Sequence, residues 1–90
     1  MIARHSFNLV CKCPTSGLMD SYCAVVEVHD RVLLCEDIEA VALEFLGRVA
    51  YQEELTKDLA ERLNARVSMT GRHGMIETET SAELCSISAE

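Results

Sequence analysis

Between Arg31 and Asn64 the spacing of the apolar residues changes, and this change limits the folds open to the chain more than any other feature. Ile38, Val41, Ala42, Phe45, Leu46 and Val49 fall on one helical stripe, at i, i+3, i+4, i+7, i+8 and i+11, which is expected to end near Gly47 and Arg48. A second stripe follows at Leu55, Leu59 and Leu63. It lies on "EELTKDLAERLN", a run of good helix formers with acidic residues in its first turn and Asn64 at its end. On either side of these helices the period is two.

Ser6 to Lys12 is short, rich in strand formers and stopped by Pro14, the only proline. "PTSG", Pro14 to Gly17, carries turn chemistry, because proline fixes its own φ and glycine accepts angles that other residues resist. Tyr22 to His29 alternates, with Ala24, Val26 and Val28 on one face and Cys23, Val25, Glu27 and His29 on the other. After the helices, Arg66 to Thr70 reads as a third strand and "GRHG" as a turn. Met75 to Thr80 reads as a fourth, with Ile76, Thr78 and Thr80 alternating against Met75, Glu77 and Glu79. Residues 81–90 stay unassigned.

The expected fold is therefore α+β: one domain over residues 1–90, ordered ββααββ, with a four-stranded antiparallel sheet carrying two helices on one face. Such a sheet has a second face and two edges without partners. Identical copies could join edge to edge around an axis, giving a multimeric β-barrel with sheet inside and helix outside. An obligate homo-oligomer is expected on that ground.

Composition narrows the function. Apolar residues are 49% of the 90 and charged residues 26%, which fits a folded chain and argues against disorder. No apolar run approaches the roughly 18 residues that cross a bilayer, and the first residues lack the apolar core of a secretion signal, so a cytoplasmic protein with no membrane partner is expected. A net charge of −7 is the wrong sign for affinity built on phosphates, which disfavours direct nucleic-acid binding. Five cysteines, at 11, 13, 23, 35 and 85, are an odd number, so structural disulfides are not expected and most of these thiols are expected to be small buried apolar residues. The sequence has neither C-x-x-C nor H-x-x-x-H, so no metal site is expected.

The chemistry concentrates in "CKCPTSGLMDSY", Cys11 to Tyr22, where Cys13 directly precedes Pro14 and Asp20 stands seven residues further on. Taken alone, Cys13 could be a strand-end thiol and Asp20 a turn aspartate, or the two could be a nucleophile and its proton donor. Glu53 and Glu54 could be first-turn acids favoured by the helix dipole. Arg72 and His73 read as exposed turn residues, and His29 as a strand-end residue.

The segment "CPTSGLMD" resembles the C-P-x-T-G-x-x-D motif of the 7-cyano-7-deazaguanine reductases, members of the tunnelling fold. Two more segments match in order. "YQEEL", Tyr51 to Leu55, is similar to the family's His-Glu segment opening its second helix, and "TGRHGMIET" to its T-P-R-G-G-I-S-I turn and strand. The resemblance spans about residues 9–80 and implies that Cys13 adds as a thiolate to a nitrile carbon, giving a covalent thioimide, while Asp20 manages the proton on the nitrile nitrogen. It also implies that Glu53 anchors the base by accepting its N–H groups, with Gln52 beside it where the reductases carry histidine.

The reductases also carry a Glu-x-Lys-x motif before the first helix, associated with nicotinamide cofactor use. Here "LLCEDIEAVALEF" has no lysine, and its acids would repel the phosphates of NADPH. The archaeosine-forming amidinotransferases of the same fold, the QueF-like branch, are similar in the Cys-to-Asp and Glu motifs without that one. They add ammonia to the thioimide and need no cofactor. The resemblance thus implies a QueF-like, nitrile-processing enzyme acting on a 7-deazaguanine-type small molecule or modified base, in the chemistry of archaeosine or queuosine. Open beside it are an NADPH-dependent reductase and a non-catalytic tunnelling-fold protein binding a purine or pterin through Glu53. A zinc-dependent GTP cyclohydrolase of the fold lacks its ligand motifs here.

Overall fold

The computed structural model describes residues 1–84. The elements run β1 (Ile2–Lys12), β2 (Met19–His29), α1 (Cys35–Phe45), α2 (Gln52–Leu63), β3 (Arg66–His73) and β4 (Ile76–Ala82), in the order that the change of period predicts. The strands form one antiparallel sheet in the order β1-β2-β3-β4, with both helices inserted between β2 and β3.

One face of this sheet holds the core. Leu9 and Cys11 of β1, Ala24, Val26 and Val28 of β2, and Val67 and Met69 of β3 pack against Ile38 and Phe45 of α1 and Leu55, Leu59 and Leu63 of α2. Full burial of a leucine of this kind stabilises by about 1.5–3 kcal/mol. The alternate strand positions carry Arg4, Asn8, Glu27, Arg66, Thr70 and Glu79 on the face without helices, as the period of two requires.

Several boundaries move from the sequence reading. β1 begins at Ile2 because Ile2 and Arg4 pair with His29 and Glu27, and the Arg4 guanidinium meets the Glu27 carboxylate at 2.9 Å. The "GRHG" turn is corrected: Gly71, Arg72 and His73 are strand residues paired with Thr78, Glu77 and Ile76, and the chain reverses at Gly74, whose φ is +61°. Ser81 and Ala82, unassigned in sequence, complete β4, while residues 85–90 lie outside the described ones.

The first helical stripe is also shorter than its sequence pattern. α1 stops at Phe45, Leu46 leaves the helical region at φ −59°, ψ 126°, and Gly47 follows at φ +77°. Leu46 and Val49 are therefore exposed rather than core. Competing backbone hydrogen bonds explain the early stop. The N–H groups of Gly47 and Ala50 donate to the carbonyls of Val10 and Lys12 at 2.8 and 3.2 Å, and Lys12 donates to Arg48 at 2.8 Å. Residues 47–50 thus make a short parallel bridge on the outer edge of β1, which fixes the start of α2 beside the end of that strand.

The expectation that most cysteines are buried is corrected too. Cys11 is buried, Cys13 half-buried, and Cys23 and Cys35 exposed, the first on the helix-free sheet face and the second opening α1; Cys85 lies outside the described residues. No helix among the described residues is long and apolar enough to cross a membrane.

Candidate functional site

Cys13 is the first residue after β1, and its surroundings come from the turn that follows. Its own N–H donates to the Leu18 carbonyl and its carbonyl accepts from the Gly17 N–H, both at 2.9 Å, while the Leu18 N–H donates to the Ser16 hydroxyl at 3.2 Å. Pro14 sets the entry to this turn, and Gly17 exits it at φ +76°. The result is a small nest of donors around the sulfur. The Ser16 N–H, the Ser16 hydroxyl and the Thr15 N–H hold the Cys13 thiol below its ordinary value, against some loss of hydration and the negative charge of Asp20. Cys11, two residues earlier, is the opposite case: burial pushes its thiol up, and it donates to the Phe45 carbonyl at 3.3 Å.

Asp20 enters from β2, across the ladder from Cys11, with a side chain that is 16% exposed. Two groups meet its Oδ2. The Tyr22 hydroxyl donates at 3.4 Å, and Nε2 of His73 lies at 3.4 Å. Burial, then the charge and hydrogen bond of Asp20, push the Tyr22 phenol up to about 12, so Tyr22 stays a neutral donor. Gly71, its ladder partner, leaves space for the ring.

The bridge along β1 brings the start of α2 to this turn. The Thr15 hydroxyl and the Tyr51 phenol lie 3.1 Å apart, and the Tyr51 N–H donates to the Glu54 carboxylate at 3.1 Å, which caps the helix. Gln52 is buried, and its Nε2 donates among the carbonyls of Met69 and Thr78 and the Thr80 hydroxyl at 2.9, 3.0 and 3.2 Å. Its amide N–H groups are thus committed to holding α2 against β3 and β4. Glu53 is exposed and faces the same hollow.

These residues enclose a cavity of about 380 Å³ lined by Cys13, Ser16, Tyr22, Gln52, Glu53 and His73 among others. Three of the four site residues expected from sequence line it, and the fourth, Asp20, touches two of its walls through Tyr22 and His73. Sequence reasoning missed Tyr22, which looked like an ordinary strand aromatic, and set His73 aside as a turn residue. A larger groove of about 490 Å³ lies between β1 and α1 and contains none of the motif residues. Among the described residues no group of three or more His, Cys, Asp or Glu could hold a metal ion.

A thiol with a lowered pKa, a carboxyl with a neutral donor and an imidazole on it, and an exposed carboxylate around one hollow suit covalent addition of the thiol to an electrophilic carbon. No family profile and no curated protein matches the chain. Among solved structures it is similar to the crystal structure of the archaeosine synthase QueF-Like in its apo form, with a TM-score of 0.80, 27% sequence identity and 90% of each chain covered. The chain therefore has the tunnelling fold, in the ββααββ form of the QueF-like branch.

Proposed function

We propose that this protein is an amidine-forming enzyme that adds ammonia to the nitrile of a 7-cyano-7-deazaguanine base through a covalent thioimide on Cys13. The observation that carries the reading is the nest of Ser16 and Thr15 donors, which favours the thiolate of Cys13 in the cavity that Gln52 and Glu53 also line. Cys13 gives its proton to the Asp20 carboxylate, the thiolate attacks the nitrile carbon, a C–N π pair moves to nitrogen, and Asp20 passes the proton to that nitrogen, making the neutral thioimide. Ammonia then adds to the same carbon and the C–S bond breaks, returning the thiolate and leaving an amidine. Nitrile plus ammonia equals amidine, so no electrons are exchanged.

Glu53 accepts N–H groups of the base edge, and Tyr51 lines the same hollow. In this reading Gln52 supports the site rather than recognising the base, because its amide N–H groups are already donated. The residues present do not fit a nicotinamide cofactor: the first turn of α1 carries Glu36 and Asp37 and its last turn no basic residue, so the helix offers a dinucleotide's phosphates carboxylates instead of a cation. Among the described residues, β1 and β4 are each paired on one side only along most of their length, which supports closure of several copies edge to edge, with sites near the seams. The test is product analysis with 7-cyano-7-deazaguanine and either ammonium or NADPH. Amidine formed with ammonium supports the reading; an aminomethyl product formed only with NADPH overturns it.

A further inference from the structure

His73 is the site residue that the mechanism above leaves without work. It is the last residue of β3, two positions beyond Gly71, so the two share a face of the sheet. Tyr22 pairs with Gly71, and continuing that antiparallel register by two residues sets His73 opposite Asp20. Its Nε2 lies 3.4 Å from the Asp20 Oδ2 and its ring lines the cavity with Cys13. Gln52, at the start of α2, has its amide N–H groups occupied elsewhere. An imidazole therefore reaches this cavity from β3 and not from the start of α2.

We propose that His73 is the base that deprotonates ammonium for the second half of the reaction, with Asp20 as its partner. This inference rests on the amidine-forming reading. In the first half-reaction, Asp20 relays the Cys13 proton to the nitrile nitrogen and is a carboxylate again once the thioimide has formed. The Asp20 carboxylate lies 3.4 Å from His73 Nε2, placed to pair with the imidazolium that forms. Ammonium, the main form at neutral pH, gives its proton to His73, and the free ammonia adds to the thioimide carbon. Collapse returns the electron pair of the C–S bond to sulfur, and the proton shed by the new C–N nitrogen passes through Asp20 back to Cys13. His73 then passes its proton to the amidine, which leaves as an amidinium. Nitrile plus ammonium equals amidinium, so every proton is accounted for.

The titratable groups that share this hollow with His73 are Asp20 and Tyr22 on β2, Cys13 on the turn after β1, Tyr51 at the N-cap of α2 and Glu53 in its first turn. Its ladder partner on β4, Ile76, is apolar. The neighbouring Arg72 and Glu77 lie 3.7 Å from each other, at strand positions that alternate to the opposite face.

The experiment separates the two half-reactions in the full-length protein. The thioimide is accumulated with 7-cyano-7-deazaguanine in ammonium-free buffer, followed by intact mass, and then chased with ammonium or with hydroxylamine, a nucleophile that is already neutral at pH 7. His73→Gln is expected to form the adduct yet to release amidine with ammonium about 10²-fold more slowly, the usual size of a lost general base. Hydroxylamine is expected to discharge both proteins at similar rates, and the variant's rate with ammonium is expected to follow only the free-ammonia fraction as pH rises. Wild-type discharge by ammonium in the variant, or equal slowing with both nucleophiles, overturns the role of His73 and leaves the amidine reading standing. Absence of an adduct in the wild type overturns both.

Discussion

Gly71 stands directly opposite Tyr22 in the β2–β3 ladder, and a Cβ at that position would lie 2.4 Å from the Tyr22 ring. This glycine is needed for close approach and not for a turn. Gly71→Ala must displace a ring that is itself buried, so it is expected to destabilise the fold by about 1–3 kcal/mol, the usual cost of overpacking. Urea denaturation of the two proteins checks it; equal midpoints would contradict the packing described here.

Cys13 is expected to alkylate ahead of Cys23 and Cys35, although those two are exposed and Cys13 only half-buried. Reactivity follows the thiolate fraction. Because the Ser16 and Thr15 donors lower the Cys13 thiol from an ordinary 9.0, its thiolate is present above the lowered value and lost only as pH falls through it. Iodoacetamide labelling followed by peptide mass spectrometry across pH 6 to 9 should therefore show the Cys13 profile rising at lower pH than that of an ordinary thiol. Ser16→Ala should move that profile toward higher pH, and an unchanged profile would remove the nest from the account.

Tyr22 provides a second titration, of opposite sign. Its phenol is raised from 10.0 to about 12 by burial and by Asp20, so folding favours the neutral form. That contribution is complete below pH 10 and is lost as pH rises from 10 toward 12. Ultraviolet titration of the folded protein is expected to show a tyrosine step near 12 that Tyr22→Phe removes. A wild-type protein with no such late step would mean that Tyr22 is solvated.

Gln52 and Glu53 are neighbours with opposite expected behaviour. Gln52→Leu leaves the Met69 and Thr78 carbonyls without this donor and is expected to cost about 1–3 kcal/mol of stability. Glu53→Gln, at an exposed position, is expected to keep stability within about 0.5 kcal/mol while weakening binding of the deazaguanine base. Thermal unfolding with and without the base measures both. A stable Gln52→Leu protein that no longer binds the base would reverse the two roles.

The sequence made the element order legible because each element keeps its period over a buried face, as Ala24, Val26 and Val28 do on β2 and Leu55, Leu59 and Leu63 do on α2. Boundaries failed where backbone hydrogen bonding overrode side-chain pattern. Leu46 and Val49 continue the stripe of α1 on paper, yet Gly47 and Ala50 bond to β1 instead. Cys13 and Asp20 were legible because a turn joins them in seven residues. His73 was not, because its glycine neighbours look like a turn, and only the β2–β3 register carries it to Asp20. Gln52 looked like a ligand contact by its place beside Glu53, whereas its amide binds three acceptors of the protein itself.

The most direct measurement is the intact mass of the wild-type protein and of Cys13→Ala after incubation with 7-cyano-7-deazaguanine. A mass increase of one base on the wild type alone, discharged by ammonium with release of the amidine, is the expected result. A wild-type protein that binds the base without forming an adduct, or an adduct that persists in Cys13→Ala, would contradict the claim that this turn carries the chemistry.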